Sequence, residues 1–354
     1  MRLLKQIPRP IFWKPRGCIP SLELLNPAHG IISKQDVTAL AGGETSYPLT
    51  VVELAGGKVI GSVRMAATAG DIVLGGLQSL HGKNEPCDHY LLKPRLRCRF
   101  LKYQQGRALL LAGNAGDNYY HWLLDSIPRW RMMQAANYSE YDFVLLPEKA
   151  SLFEDELLDV LEIPSARRLR CSKHLIHQFE RLVVPAMPFP CRRVSAWVCA
   201  WVRSLFPNTG SGPEKIFISR GGRRRRRLVN EAELEARLQA EGFVSIQPER
   251  FSVAEQARLF SSAKCVVASH GAGLVNMVFA PANALLVELF HPDHVRPTYK
   301  NMAATAGLRR AAVVGRSRNR PGTAEKKCSE YDSEFEIDVS AVVRTIAENE
   351  VTSV

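Results

Sequence analysis

Between residues 215 and 314 short apolar runs alternate with amphipathic stretches, and this alternation constrains the fold more than anything else in the chain. Strands are expected at 215–219, 243–246, 265–268, 284–290 and 309–314, and helices at 230–241, 253–262, 272–280 and 296–306. Runs such as Cys265-Val266-Val267-Ala268 and Leu285-Leu286-Val287 show no polar alternation, the mark of strands covered on both faces. Strand and helix in turn predict a parallel sheet with helices on both sides, a Rossmann-like α/β domain. Ligands of such sheets sit at the carboxyl ends of the strands, so residues that directly follow a strand are the ones to examine.

The 354 residues exceed twice the ~150 of an average domain, which predicts two domains. Residues 1–45 are rich in Pro and Gly, and short strand-like runs follow at 49–54, 58–63 and 71–74, a small antiparallel, β-rich section. Ala108–Ala112, Asp142–Leu146 and Arg181–Val184 read as further strands, with helices at 119–136, 151–161 and 193–206. The turn residues of Pro207-Asn208-Thr209-Gly210-Ser211-Gly212-Pro213 form a linker. The expected organisation is thus a first α/β domain at 1–206, a linker at 207–214, a nucleotide-binding domain at 215–335 and a terminal helix at 336–354 packing back across the domains.

At 46% hydrophobic and 23% charged residues the composition is that of a globular protein, which excludes disorder, collagen-like repeats and coiled coil. No window approaches the ~20 apolar residues of a spanning helix, and the N-terminal stretch has no secretory apolar core, so a cytoplasmic location is expected. The net charge of +12 favours polyanionic partners, phosphate-bearing molecules included, and leaves room for peripheral contact with an anionic membrane. Five consecutive arginines, Arg223–Arg227, carry a good part of it. The eight cysteines lack C-x-x-C spacing, which argues against a zinc site or disulfide scaffold and fits a reduced compartment.

Four clusters could carry chemistry. After the strand at 215–219 come Ser219, Arg220, two glycines, the arginine run and Asn230 at a helix start; arginine suits bidentate phosphate recognition, although most of such a run is ordinarily solvated. Ser269-His270-Gly271-Ala272-Gly273-Leu274-Val275-Asn276 joins a strand to a helix: glycines let backbone approach a ligand, and the helix start favours an anion. A lone Gly-x-Gly is weak evidence and a packing turn is the competing reading, but the strand before it and the helix after it favour a ligand site. Glu288 stands near the next strand's end, where a carboxylate can hold ribose hydroxyls or simply face solvent. In the first half, His121 and Asp125 are four apart in Asn118-Tyr119-Tyr120-His121-Trp122-Leu123-Leu124-Asp125, followed by Arg129. A carboxylate that fixes an imidazole's tautomer makes the pair a candidate general base, and a structural histidine is the competing reading.

No Ser nucleophile elbow, H-E-x-x-H, P-loop or Asp-x-Asp pair accompanies them, which sets hydrolase, metalloprotease and nucleoside-triphosphatase readings aside. The ordered set Asn118-x-x-His121-x-x-x-Asp125, Ile218-Ser219-Arg220, Arg227-x-x-Asn230-Glu231, Phe251–Phe260 and His270–Asn276 resembles glycosyltransferase family 61 over residues 105–310. The resemblance implies a GT-B architecture, two Rossmann-like domains facing a cleft. It also implies an inverting, metal-independent glycosyltransferase with no cofactor, using a nucleotide-sugar donor, with UDP the expected nucleotide. By it, Ser219, Arg220, Arg227, Asn230, His270, Gly271, Ala272, Gly273, Asn276 and Glu288 would bind the donor. His121 and Asp125 would act as the base, with Asn118, Tyr119, Trp122 and Arg129 on the acceptor side. The implied acceptor is a glycan or lipid-linked saccharide, in polysaccharide biosynthesis of the bacterial capsular type. The rivals are a phosphoryl- or nucleotidyl-transferase, a nucleic-acid-binding module gripping through Arg223–Arg227, and a non-catalytic scaffold.

Overall fold

A computed structural model of the chain describes residues 16–19, 22, 25–42, 48–63, 65–75, 100–113, 118–189, 193–207, 210–222, 226–318 and 333–351. Arg223–Arg225, Asn114–Asp117, the linker residues Asn208 and Thr209, and most of the polar stretch at 315–334 lie outside the described residues. The fold is mixed α/β, and the chain divides into two compact units, Met1–Trp201 and Val202–Val354. Among the described residues no helix is long and apolar enough to cross a membrane.

Among the described residues, unit 1 is built on one ten-stranded mixed sheet. Its strands are β1 (Gly17–Ile19), β2 (Ile31–Asp36), β3 (Thr50–Ala55), β4 (Lys58–Ile60), β5 (Met65–Ala67), β6 (Ile72–Leu74), β7 (Phe100–Leu110), β8 (Phe143–Pro147), β9 (Arg168–Cys171) and β10 (Leu175–Pro185). The helices are α1 (Tyr119–His121), α2 (Ile127–Ala135) and α3 (Glu154–Val160), and α4 (Ala196–Ser204) carries the chain into unit 2. The runs expected as a small antiparallel section at 49–54, 58–63 and 71–74 do form antiparallel pairs, β2 with β3, β4 with β5 and β5 with β6, and they join the parallel strands in a single sheet. The link is β10, parallel to β7 on one edge and antiparallel to both β3 and β4 on the other. β3 and β4 are one antiparallel course broken at Gly56-Gly57. Gly56 turns at φ +63°, and a Cβ on Gly57 would stand 2.7 Å from Leu182, so this close passage along β10 requires glycine.

Unit 2 holds a five-stranded sheet: β11 (Lys215–Ile218), β13 (Val244–Ile246), β14 (Cys265–Ser269), β15 (Leu285–Phe290) and β16 (Arg309–Val314). Between β11 and β13 lies β12 (Arg227–Leu228), which forms a small second sheet with β17 (Arg316–Ser317) and β18 (Glu334–Glu336). In the main sheet every neighbouring pair is parallel, in the order β13-β11-β14-β15-β16. Taken along the chain, this is the doubly wound order 2-1-3-4-5, whose direction reverses between the first and third strands, here β11 and β14. The five expected strands are all present, and the helices α5 (Glu231–Ala240), α6 (Val253–Phe260) and α7 (Thr298–Ala306) fall where periodicity places them. A capping box at Ser252 and Glu255 starts α6, and Gly307 at φ +70° stops α7. Residues Ala272–Phe279 wind as a 3-10 rather than an α-helix. On one face, Phe217, Val267, Leu285, Val287 and Leu289 pack with Leu234 and Leu238 of α5 and with Val342 and Ile346 of α8 (Val339–Val351). The alternate residues of β15, Glu288 and Phe290, point to the other face.

Candidate functional site

Each unit brings together one histidine and one carboxylate from the predicted set. In unit 1 the helical segment begins at Asn118, whose Oδ1 accepts the Tyr120 N–H at 2.9 Å, so Asn118 is a helix cap. Trp122–Ser126 then widens to a π turn, closed by the Ile127 N–H donating to the Trp122 carbonyl. The cause is local: Pro128 has no N–H, and its ring would collide with the Leu124 carbonyl in an unbroken α-helix. Single π turns of this kind recur at functional sites. Across the turn His121 Nδ1 lies 2.5 Å from Asp125 Oδ2, with the two side chains 13% and 9% exposed. With Nδ1 committed to the carboxylate, Nε2 is the ring nitrogen that can accept a proton. Among the described residues, Asp125 Oδ1 is buried with no hydrogen-bond partner.

Of the neighbours, Trp122 is fully buried and meets Phe153 edge-on at 6.4 Å. Tyr119 packs on the same Phe153 ring at 5.0 Å, and its hydroxyl's pKa is raised, chiefly by burial and further by Glu156. Arg129 is buried, its Nη2 donating to Met187 Sδ at 2.9 Å, and its guanidinium lies against Gly113 just beyond β7. These three side chains therefore support the segment that carries His121.

In unit 2 Ser219, Arg220, His270, Gly271 and Glu288 come together at the carboxyl edge, where the strand order reverses, and Arg227 and Asn230 do not join them. Ser219 continues β11, its N–H donating to the Ile246 carbonyl and its Oγ accepting the Gly221 N–H at 3.2 Å. Arg220 is anchored by its own N–H, which donates to Glu231 Oε1 at 2.5 Å. Its Nη1 reaches across to the His270 carbonyl at 3.3 Å, and a Cβ on Gly271 would stand 3.1 Å from that nitrogen. The cationic loop after β11 and the glycine turn after β14 are thus one neighbourhood. Gly273 has only ordinary clearance, its nearest neighbour being Pro248. Ala272 and Gly273 open the 3-10 segment, where N–H groups have no intrahelical acceptor.

Glu288, expected at a ribose, has no exposed surface, and both its oxygens are engaged. Oε1 lies 2.5 Å from His270 Nδ1, while Oε2 accepts Arg310 Nε at 2.7 Å and lies 2.6 Å from Arg310 Nη2. Asn276 is also fully buried and donates to Gln256 Oε1 at 2.7 Å, tying the 3-10 segment to α6. Asn230 clamps the chain beyond β18: its Nδ2 donates to the Ile337 carbonyl at 2.9 Å, and its Oδ1 accepts the Ile337 N–H at 3.1 Å. Arg227, in the basic run, is exposed and pairs with Glu334 at 3.1 Å.

Two residues outside the predicted set belong to this neighbourhood. Tyr299 of α7 donates its hydroxyl to the Gly271 carbonyl at 2.7 Å, and Arg310 of β16 holds Glu288. The signal for Arg310 was present: a carboxylate inside an apolar strand calls for a cation on a neighbouring strand. Nothing in the spacing marks Tyr299. Beside Ser219 a cleft of about 670 Å³ opens between α5 and the end of β13, lined among others by Gly221, Gly222, Glu231, Gln247, Arg250 and Phe251.

A mixed α/β fold with parallel sheets, carrying a cationic loop and a glycine turn at the reversal of strand order, fits an α/β glycosyltransferase. Comparison with known proteins narrows the class: residues 119–287 match the family model Glycosyltransferase 61. Over 105 residues the chain is 38% identical to the mouse (Mus musculus) protein O-linked-mannose beta-1,4-N-acetylglucosaminyltransferase 2, covering 28% of this chain and 18% of the relative. The human (Homo sapiens) protein of that name is 40% identical over 90 residues, 23% of this chain and 15% of its own. A beta-1,2-xylosyltransferase of rice (Oryza sativa subsp. japonica) is 38% identical over 81 residues, 23% of this chain and 14% of its own. The matched stretches span less than a fifth of these relatives' length. Together they support glycosyltransferase family 61 and glycosyl transfer as the class of reaction.

Proposed function

We propose that the chain is an inverting glycosyltransferase of family 61 with GT-B organisation, moving a sugar from a nucleoside-diphosphate sugar to a hydroxyl of a glycan or lipid-linked saccharide. The observation that carries this reading is the approach of Arg220 Nη1 to the His270 carbonyl, which joins the two anion-suited loops of unit 2. In this reading unit 2 holds the donor, with the diphosphate met by Arg220, His270 and the N–H groups of Ala272 and Gly273. The nucleoside occupies the cleft between α5 and β13. Glu288 and Asn276 act from behind, fixing His270 and the 3-10 segment. The base is His121, oriented by Asp125.

The reaction is a single displacement. The acceptor hydroxyl gives its proton to His121 Nε2 as its oxygen bonds to the anomeric carbon. The bond from that carbon to the diphosphate oxygen breaks, and the nucleoside diphosphate leaves with the electron pair. Inversion follows from attack opposite the leaving group, and fixed cationic groups stabilise the departing charge with no metal required. UDP is the expected nucleotide, polysaccharide biosynthesis the expected setting, and the cytoplasm or the inner face of its membrane the expected place.

The test is calorimetric binding and thermal shift with UDP, GDP, ADP and CDP in EDTA, on the wild type and Arg220→Ala. Selective stabilisation by one nucleotide, lost in the variant, is expected. Wild-type protein that is stabilised by none of the four overturns the reading.

A further inference from the structure

His270 is the only histidine among the predicted donor residues, and its surroundings are built in more detail than a packing residue needs. Its backbone extends the parallel ladder, the His270 N–H donating to the Leu289 carbonyl at 2.9 Å. Its ring stacks on Phe290, with centroids 5.3 Å apart and planes 24° apart, and the rings of Tyr299 and His294 approach at 5.5 and 5.6 Å. Nδ1 is committed to Glu288 Oε1 at 2.5 Å. A fully buried carboxylate is costly unless its oxygens are satisfied and its charge is balanced. Arg310 does both at Oε2 with two nitrogens, and the same guanidinium carbon lies 5.5 Å from the centre of the Phe290 ring.

Arg310 therefore reaches His270 by two routes, through the carboxylate and through the aromatic ring. Leu286 is its partner across β15, which puts Arg310 two residues back from Glu288 on the same face of the sheet. Its side chain is 15% exposed.

We propose that Arg310 is a positioning residue of the donor site, acting through Glu288 to hold the His270 ring with Nδ1–H on the carboxylate and Nε2 toward the diphosphate, where Nε2 takes up a proton as the ligand binds and donates to a phosphate oxygen. The proposal rests on the reading of unit 2 as the donor domain. Arg310 holds one carboxylate oxygen so that the other stays aimed at Nδ1, and the ring is left with one tautomer and one orientation. Without Arg310 the carboxylate has a vacant oxygen and an unbalanced charge, and it can turn either oxygen to the ring. Tyr299 contributes separately, on the backbone carbonyl of Gly271.

The test is a double-mutant cycle on the full chain: wild type, His270→Ala, Arg310→Gln and the double variant, titrated calorimetrically with UDP and with inorganic pyrophosphate. Each single variant is expected to weaken binding about 10-fold, as for loss of a hydrogen bond to a charged group. The double variant is expected to fall within about twofold of His270→Ala, because in this proposal Arg310 acts on the ligand only through the ring. A double variant near the ~100-fold product, or an Arg310→Gln variant that binds like the wild type, overturns the proposal. Arg310→Lys keeps the charge without the paired nitrogens and is expected to recover part of the affinity; it replaces Arg310→Gln should that variant lose its cooperative melt. Ring nitrogen NMR of His270 decides independently of ligand. One Nδ1-protonated tautomer is expected in the wild type and tautomer averaging in Arg310→Gln, and unchanged ring signals overturn the relay. Wild-type protein that binds neither probe refutes the donor reading instead, and the ring signals still judge the relay.

Discussion

His121 Nδ1 and Asp125 Oδ2 meet at 2.5 Å across a π turn that Pro128 imposes on the helix. The bond leaves Nε2 as the proton-accepting nitrogen, and the two variants of the pair should therefore differ. His121→Ala removes the base and is expected to lower kcat by about 10²–10⁴-fold. Asp125→Asn keeps the shape but can present an amide N–H to Nδ1, which favours the wrong tautomer, so kcat should fall with little change in donor affinity. Steady-state kinetics alongside nucleotide binding checks this. Near-normal turnover in both variants refutes the assignment of the base.

Asn230 separates a structural role from a donor role. Its amide satisfies both the N–H and the C=O of Ile337, so Asn230→Ala leaves two backbone groups without those partners. The expected cost is about 1–3 kcal/mol, seen as a fall in melting temperature of about 2–4 °C for each kcal/mol. Nucleotide affinity measured well below the melt is expected to stay within about twofold of the wild type, because the amide is already occupied. A large loss of affinity with an unchanged melt would return Asn230 to the donor site.

The contrast between Glu288 and His121 shows what one sequence can disclose. His121 and Asp125 share a helix, so their contact follows from spacing. Glu288 was equally visible near the end of its strand, but its partners stand on two other strands, and pairing across a sheet depends on a register that no local pattern encodes. The same reason hid Tyr299, whose role lies in one hydrogen bond to a turn 28 residues away. The central strands β14 and β15 were legible because burial on both faces makes them almost continuously apolar. In β10 only Arg181–Val184 read as strand, because the half containing His177 and Gln178 is polar and is held by neighbours on both edges. Pro128 was in view, and its effect on the carbonyl four residues back was the available clue to the π turn.

Cys171 and Cys265 are buried, and burial pushes both thiols up to about 12, with Glu350 adding to the effect at Cys265. At pH 8 the reactive thiolate is then a fraction on the order of 10⁻⁴ at either site. Native protein treated with iodoacetamide at that pH is expected to leave both unmodified by peptide mass spectrometry, and urea should expose both to full labelling. Rapid native modification of Cys265 would show that the sheet opens readily at the start of β14.

His177 supplies a pH dependence whose sign is determined. It is buried in β10, and its pKa is lowered from the usual histidine value near 6.5, first by burial and then by the Lys102 charge. Nε2 accepts the Ser172 N–H at 3.1 Å, a role that only an unprotonated nitrogen can fill. The unfolded chain therefore binds this proton more readily than the folded one, and stability rises with pH across the interval between the two values. The contribution is complete above the unfolded value and is lost as pH falls through the folded one. His177→Gln keeps an acceptor for Ser172 and cannot titrate. Melting temperatures of both proteins between pH 8 and pH 5 are expected to diverge as the pH drops, the wild type losing more. Parallel curves would mean that His177 accepts a proton in place, with Ser172 finding another partner.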